Sequence, residues 1–340
     1  MLSCRDGVEI RNFSWGQHHG SRHCNPVRVL KNSHDNIVPI KRQAEKMKLR
    51  GVLVSTLFLA PTSVSGQRMK HVNANGADFA YVEKGRGVPI LLVHGSLSDF
   101  NMWSAQMDAL ARNHRVIALS RRYHWPSVLR EDPKDYTPQL HAQDVSALIQ
   151  ALKLAPVHLV GHSYGGFICA YLAKDHPEQV RSLTLIEPPI LSFLPPQPEP
   201  PPFITAALSL FAKGEDVSAV KSFISGVHGA GSFERFSPEI QKHMLLNARE
   251  MRAELRMPTD RYFPVFSCDD VRQIKAPTFL VKGAKSPDFL RAILDQLHTC
   301  VPSSSETEIP NASHGVQFEN PQAFNDALLQ FLAHVEKALR

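Results

Sequence analysis

The chain has 340 residues, 43% of them hydrophobic, which is enough to bury a substantial core and excludes a fibrous or disordered protein. Its formal net charge of +6 belongs wholly to the front: residues 1 to 66 hold 10 Lys and Arg against 4 Asp and Glu, whereas residues 67 to 340 hold 28 of each sign. A neutral body without a Lys/Arg stripe interleaved with aromatics excludes a phosphate-tracking surface, so nucleic acid is not an expected partner.

Residues 1–46 include RNFSWGQHHGSRHCNPVRVLKNSHDN, rich in His and Arg and without helical or strand periodicity. From Met47 the chain reads MKLRGVLVSTLFLAPTSVSGQ: Lys48 and Arg50 form a positive n-region, Val52 to Ala60 a short apolar h-region, and small residues continue to Gly66. Residues 47–66 therefore read as a signal peptide. The apolar run is too short to span a bilayer, which needs about 20 residues, so no stable membrane anchor is expected. Residues 1–46 then read as a spurious or disordered leader, with translation starting at Met47 and a mature chain beginning near Gln67. The expected location is periplasmic or secreted. Past the leader stand three cysteines, Cys169, Cys268 and Cys300, without CxxC or Cys/His metal spacing, and a Cys268–Cys300 bridge is compatible with export to an oxidising compartment.

From residue 67 onward, apolar strand-like runs alternate with helix-like segments. FAYVEKG, PILLVHG, HRVIALS, VHLVGHS, LTLIEPP and APTFLVKG each end in turn chemistry, and NMWSAQMDALARN, QLHAQDVSALIQALK and GGFICAYLAKDHPE carry helical patterns. Continuous Val/Ile/Leu strands separated by helices predict an α/β fold with a mostly parallel central sheet flanked by helices. About 90 residues between LIEPP and APTFLVKG are more than the sheet needs. They begin with LPPQPEPPP, a stiff extended hinge, and continue with amphipathic patterns at FITAALSLFAKG, VSAVKSFISG and PEIQKHMLLNAREMRAEL. A helical lid over about residues 190–275 is the expectation, with a dimerisation helix pair as the alternative.

GHSYGG at 161 to 166 follows a strand and opens a helix, a strand, elbow and helix arrangement that exposes a serine hydroxyl at the top of a sheet near the positive end of a helix. With LLVHGS at 91 to 96 and NASHGVQFENPQAF at 311 to 324, the chain resembles the α/β-hydrolase family, a serine esterase-like branch, over essentially residues 70 to 340. The resemblance implies Ser163 as nucleophile and His314, in a loop before a helix starting near Pro321, as general base. It implies an oxyanion hole from the backbone N–H groups of Ser96 and Tyr164. Serine at 163 argues against the haloalkane dehalogenase and epoxide hydrolase branches, which use an aspartate nucleophile.

Two places depart from the family pattern. After the fourth strand, SRRYHWPS keeps arginine but loses the usual acid, and Tyr123 and Trp125 either line the pocket or form a packed aromatic corner. The triad acid, usually three residues past the glycine of TFLVKG, is replaced by Ser286. Asp288 is the nearby substitute, yet Ser286, Pro287 and Asp288 also read as N-cap, N1 proline and first-turn carboxylate of a helix. Glu187 ends the strand LTLI at the carboxyl edge of the sheet, where a buried carboxylate needs a partner, so Glu187 is the expected acid and Asp288 the alternative. The resemblance implies a serine hydrolase, which the signal peptide makes an exported one, cleaving small to medium carboxylic esters through an acyl-enzyme, with a small-molecule ester as partner and no metal or organic cofactor. A lactonase, a C–C bond hydrolase, a cofactor-free perhydrolase and a non-catalytic hydrolase-like ligand-binding protein are the alternatives.

Overall fold

A computed structural model describes residues 68–127, 133–196, 199–301 and 304–339. The leader and signal-peptide readings therefore lie outside the described residues, as do Gln197 and Pro198 of the proline-rich hinge. Eight strands form one sheet: β1 (Lys70–Ala74), β2 (Ala77–Lys84), β3 (Val88–Val93), β4 (His114–Leu119), β5 (Val157–His162), β6 (Val180–Ile186), β7 (Thr278–Gly283) and β8 (Ser304–Ile309). Their order is β1-β2-β4-β3-β5-β6-β7-β8, antiparallel at β1/β2 and β2/β4 and parallel elsewhere. β3, β5, β6 and β7 are the continuous apolar runs of the sequence, and they occupy the centre of the sheet because both of their faces are covered.

The period of two is visible in who touches what. Leu91 and Val93 of β3, with Ile117 and Leu119 of β4, join one core cluster, while Ile90 and Leu92, with Val116 and Ala118, join the other. The first cluster is completed by α2 (Pro138–Ala151), α3 (Tyr164–Asp175) and α11 (Asp288–Cys300), the second by α1 (Ser104–Leu110) and α13 (Pro321–Ala338). Each fully buried leucine or isoleucine here contributes about 1.5–3 kcal/mol. Caps set the helix starts: Thr137 Oγ1 accepts from Leu140 N ahead of Pro138, and Asn320 Oδ1 from Ala323 N ahead of Pro321.

Between β6 and β7 lie α4 (Pro202–Ala212), α5 (Asp216–His228), α6 (Ser232–Arg235), α7 (Pro238–Leu246), α8 (Ala248–Arg256), α9 (Thr259–Tyr262) and α10 (Cys268–Val271), and the short α12 (Val316–Glu319) precedes α13. The single pattern read over 238 to 255 is two helices, broken at Asn247. Its side chain is committed to the core side, accepting from Trp125 N at 2.8 Å and donating to Asp99 Oδ2 at 3.1 Å. Cys268 and Cys300 form a disulfide with Cα atoms 5.3 Å apart, tying α10 to the end of α11. Among the described residues no helix is long and apolar enough to cross a membrane, and no cluster of three or more His, Cys, Asp or Glu could hold a metal ion.

Register decides where the loops emerge. Val93 pairs with Gly161 and His162 with Ile186, so the turns after β3, β5 and β6 leave the sheet side by side. The chain also moves outward in opposite directions from β3, to β4 on one side and β5 on the other, which opens a crevice at the carboxyl ends of these strands.

Candidate functional site

Ser163 sits in that crevice with φ 52° and ψ −127°, a conformation L residues rarely adopt and one that costs roughly 1–3 kcal/mol. It is held there from both sides. Ser163 N donates to Ile186 O at 2.8 Å, and Ser163 O accepts from Gly166 N and Phe167 N at the start of α3. The surrounding glycines are required by space: a Cβ on Gly95 would stand 2.8 Å from Ser163 Cβ, and one on Gly165 would stand 2.4 Å from the carbonyl oxygens of His94 and Val93. The turns LLVHGS and GHSYGG are therefore pressed backbone to backbone. Ser96 lines the same cavity as Ser163, Tyr164 follows the serine in the chain, and neither backbone N–H has an acceptor among the described residues. α3 begins at Tyr164 itself, so Tyr164 N–H is a free donor at its N-terminus.

Glu187 follows β6 with a positive φ of 44° and is fully buried. Its Oε1 accepts from Gly283 N at 2.8 Å and its Oε2 from His314 Nδ1 at 2.7 Å. The carboxylate accepts only, so the proton of a neutral His314 is on Nδ1 and the lone pair is on Nε2. Asp288 lies elsewhere, in the first turn of α11, without a contact to His314. The N-cap of that helix is Pro287, one residue later than the sequence suggests. Ser286 therefore does not cap it, and its buried Oγ has no partner among the described residues.

Several supporting residues were not singled out from the sequence. His162 Nε2 donates to His314 O at 2.8 Å, so the residue before the serine anchors the histidine loop. Its burial, followed by the neighbouring His314, pushes its pKa well below the ordinary histidine value. Glu319 of α12 accepts from Ser313 N at 2.8 Å and Gly315 N at 3.2 Å, clamping that loop on both sides of His314. The acid missing after the fourth strand comes from α8. Arg121, 2% exposed, donates to His94 O, Gly95 O and Glu254 Oε1, each at 3.1 Å. Glu254 Oε2 accepts from the Tyr262 hydroxyl at 2.9 Å, and that hydroxyl lies 3.2 Å from Ser96 Oγ. Burial alone would raise the Glu254 carboxyl, but His124 and Arg121 outweigh it and hold its pKa down to about 2. The second arginine, Arg122, pairs with Asp144 at 2.7 Å. Only the meeting of Arg121 with an acid 133 positions later could reveal this pair, and no local pattern announces it.

Ser163, His314 and Ser96 open onto a cavity of about 300 Å³. The insertion supplies an apolar wall of Phe223, Ile224, Val227, Ile240 and Met244 with Glu239 and His243 as polar points, and Asn101, from the segment after β3, adds a third. A smaller space of about 40 Å³ on the Tyr164 side is walled by Pro189, Leu191, Ile204, Phe263 and Phe289. Tyr123 and Trp125 line neither: Trp125 packs against Phe100 and His243, and Tyr123 against Tyr136, the packed-corner alternative.

Comparison with known proteins agrees with this fold. The family model for the alpha/beta hydrolase fold matches residues 88–215. Epoxide hydrolase 3 of Xenopus tropicalis is 25% identical over 278 residues, covering 76% of this chain and 75% of its own. Among solved structures, Est816, described as an N-acyl homoserine lactone degrading enzyme, is 27% identical with a TM-score of 0.64, covering 77% of this chain and all of its own. Carboxylesterase CesB of Bacillus subtilis shares the fold at 21% identity, with a TM-score of 0.66 over 80% of this chain and 93% of its own. The chain has the α/β-hydrolase fold.

Proposed function

We propose that this protein is an exported serine hydrolase that cleaves carboxylic esters of small to medium size through an acyl-enzyme. The observation that carries the reading is the strained Ser163 sharing one cavity with a histidine whose Nδ1 is bound to the buried Glu187. His314 Nε2 takes the Ser163 proton as Oγ attacks the ester carbonyl. Charge moves to the carbonyl oxygen, where the Ser96 and Tyr164 amides receive it, and two fixed donors of this kind are typically worth several kcal/mol. Collapse expels the alcohol, which takes its proton from His314, and a water molecule activated by the same histidine releases the acid. Glu187 holds the tautomer and stabilises the imidazolium. Helices α4 to α9 act as a lid whose apolar wall excludes water and selects the acyl or alcohol part. The Cys268–Cys300 disulfide supports export, because such bridges persist in oxidising compartments.

A second reading, lactone hydrolysis, draws support from Est816 and uses the same steps with the leaving alcohol still tethered to the acyl group. Protein made from residue 67 onward, tested on an ester and lactone panel and with a fluorophosphonate probe, separates these readings. Labelling and turnover that both disappear in Ser163→Ala are expected. Folded protein that neither labels nor turns over any substrate would favour a non-catalytic ligand-binding protein.

A further inference from the structure

The cavity wall beside His314 carries a second histidine–carboxylate pair. His228, the last residue of α5, is 7% exposed, and its ring meets that of His314 edge to face with centroids 5.3 Å apart. Its Nδ1 lies 3.1 Å from Glu319 Oε1 and 3.3 Å from Ser313 Oγ. A carboxylate can only accept, so Nδ1 carries the proton. Burial lowers the His228 pKa, more than Glu319 raises it, so the ring is neutral near pH 7 with its lone pair on Nε2. Glu319 stays charged in this role: burial works against it, but hydrogen bonds from His228 and Ser313 hold its pKa at about 2. Nε2 has no partner among the described residues, and His228 lines the cavity between Phe223, Ile224, Val227 and Phe318. A ligand filling this space strips water from a hydrogen-bond acceptor set in an apolar wall. A ligand without a matching donor leaves that acceptor unpaired, which such sites discriminate against strongly.

We propose that His228 is a specificity-determining residue whose Nε2 accepts a hydrogen bond from a hydroxyl or amide N–H carried close to the scissile carbonyl of the ester or lactone substrate. The inference rests on the hydrolase reading of Ser163 and His314. Its test is a matched pair, the phenyl esters of 3-hydroxybutyric and butyric acids, with each kcat/KM normalised to the ester's hydroxide-catalysed rate. The wild-type protein should favour the hydroxylated ester on the order of 10- to 100-fold. That ratio should fall to about one in His228→Leu and be largely kept in His228→Gln, whose amide oxygen can accept. If His228→Leu does not fold, His228→Phe, which keeps the ring and lacks the nitrogens, is read in the same way. A wild-type ratio near one, or a ratio unchanged in the nitrogen-free variant, overturns the proposal while leaving the esterase reading intact. Absence of turnover on both esters together with absence of fluorophosphonate labelling overturns the hydrolase reading and this inference with it.

Discussion

Replacing Glu187 by Gln changes neither size nor shape, and the structure dictates how the amide must sit. Glu187 Oε1 receives Gly283 N–H at 2.8 Å and Oε2 receives His314 Nδ1 at 2.7 Å. Turning the new NH₂ toward Gly283 would oppose two donors, so the amide oxygen stays there and the NH₂ faces His314. The imidazole must then accept at Nδ1 and carry its proton on Nε2, where it cannot take the Ser163 proton. A wrong tautomer of this kind costs on the order of 10³ to 10⁴ in kcat, about 4–5.5 kcal/mol of barrier. Asp288→Asn is the control: it neutralises a helix-terminal carboxylate, costs at most about 1 kcal/mol of stability and leaves kcat unchanged. Steady-state hydrolysis of p-nitrophenyl butyrate, with thermal melts of both variants, reads the result. A Glu187→Gln enzyme keeping more than a tenth of its kcat, or a crippled Asp288→Asn, would falsify the assignment.

Glu254→Ala leaves the Arg121 guanidinium buried without its acid and should cost about 3–5 kcal/mol in urea unfolding; a loss under about 1 kcal/mol would show that the pair is wet. Burial lowers the pKa of His94, His124, His141, His158, His162 and His228, so each contributes stability that is complete above the unfolded value near 6.5 and is lost as pH falls. Each such group costs up to about 1.4 kcal/mol of stability per pH unit below that value. His243, raised by Asp99 and Glu239 against its burial, and Glu250, pushed up to about 7 by burial, work in the opposite sense, their contributions being lost as pH rises. Six groups outweigh two, so the melting temperature should fall from pH 7 to pH 5, and a flat profile would contradict the neutral state of these rings. Cys300→Ser opens a crosslink spanning 32 positions and should cost about 4 kcal/mol by loop closure, read as a lower urea midpoint that reduction of the wild type reproduces.

The central strands and the two glycine turns were legible because each is a local signal. β3, β5, β6 and β7 are apolar on consecutive positions, as only strands covered on both faces are, and GHSYGG needs glycine where its own neighbours approach. His314 and Glu187 could be named from chain order and from the oddity of an acid at a strand end. β1 and β8 were missed, since KHVNA and SSETEI are short polar edge strands whose existence depends on the neighbour they pair with. The choice between Glu187 and Asp288 was open in the sequence. What register decides is which of them meets His314: pairing β6 with β7 sets Glu187 against Gly283 N–H and on His314 Nδ1, while Asp288 starts α11. Arg121 with Glu254 and His228 with Glu319 are likewise contacts between segments about 90 to 130 positions apart. Periodicity reports the face a residue shows to its own element. Which charge that face meets is decided only when separate elements pack, and burial then makes the meeting obligatory, because an unpaired charge in the interior costs more than the fold can spare.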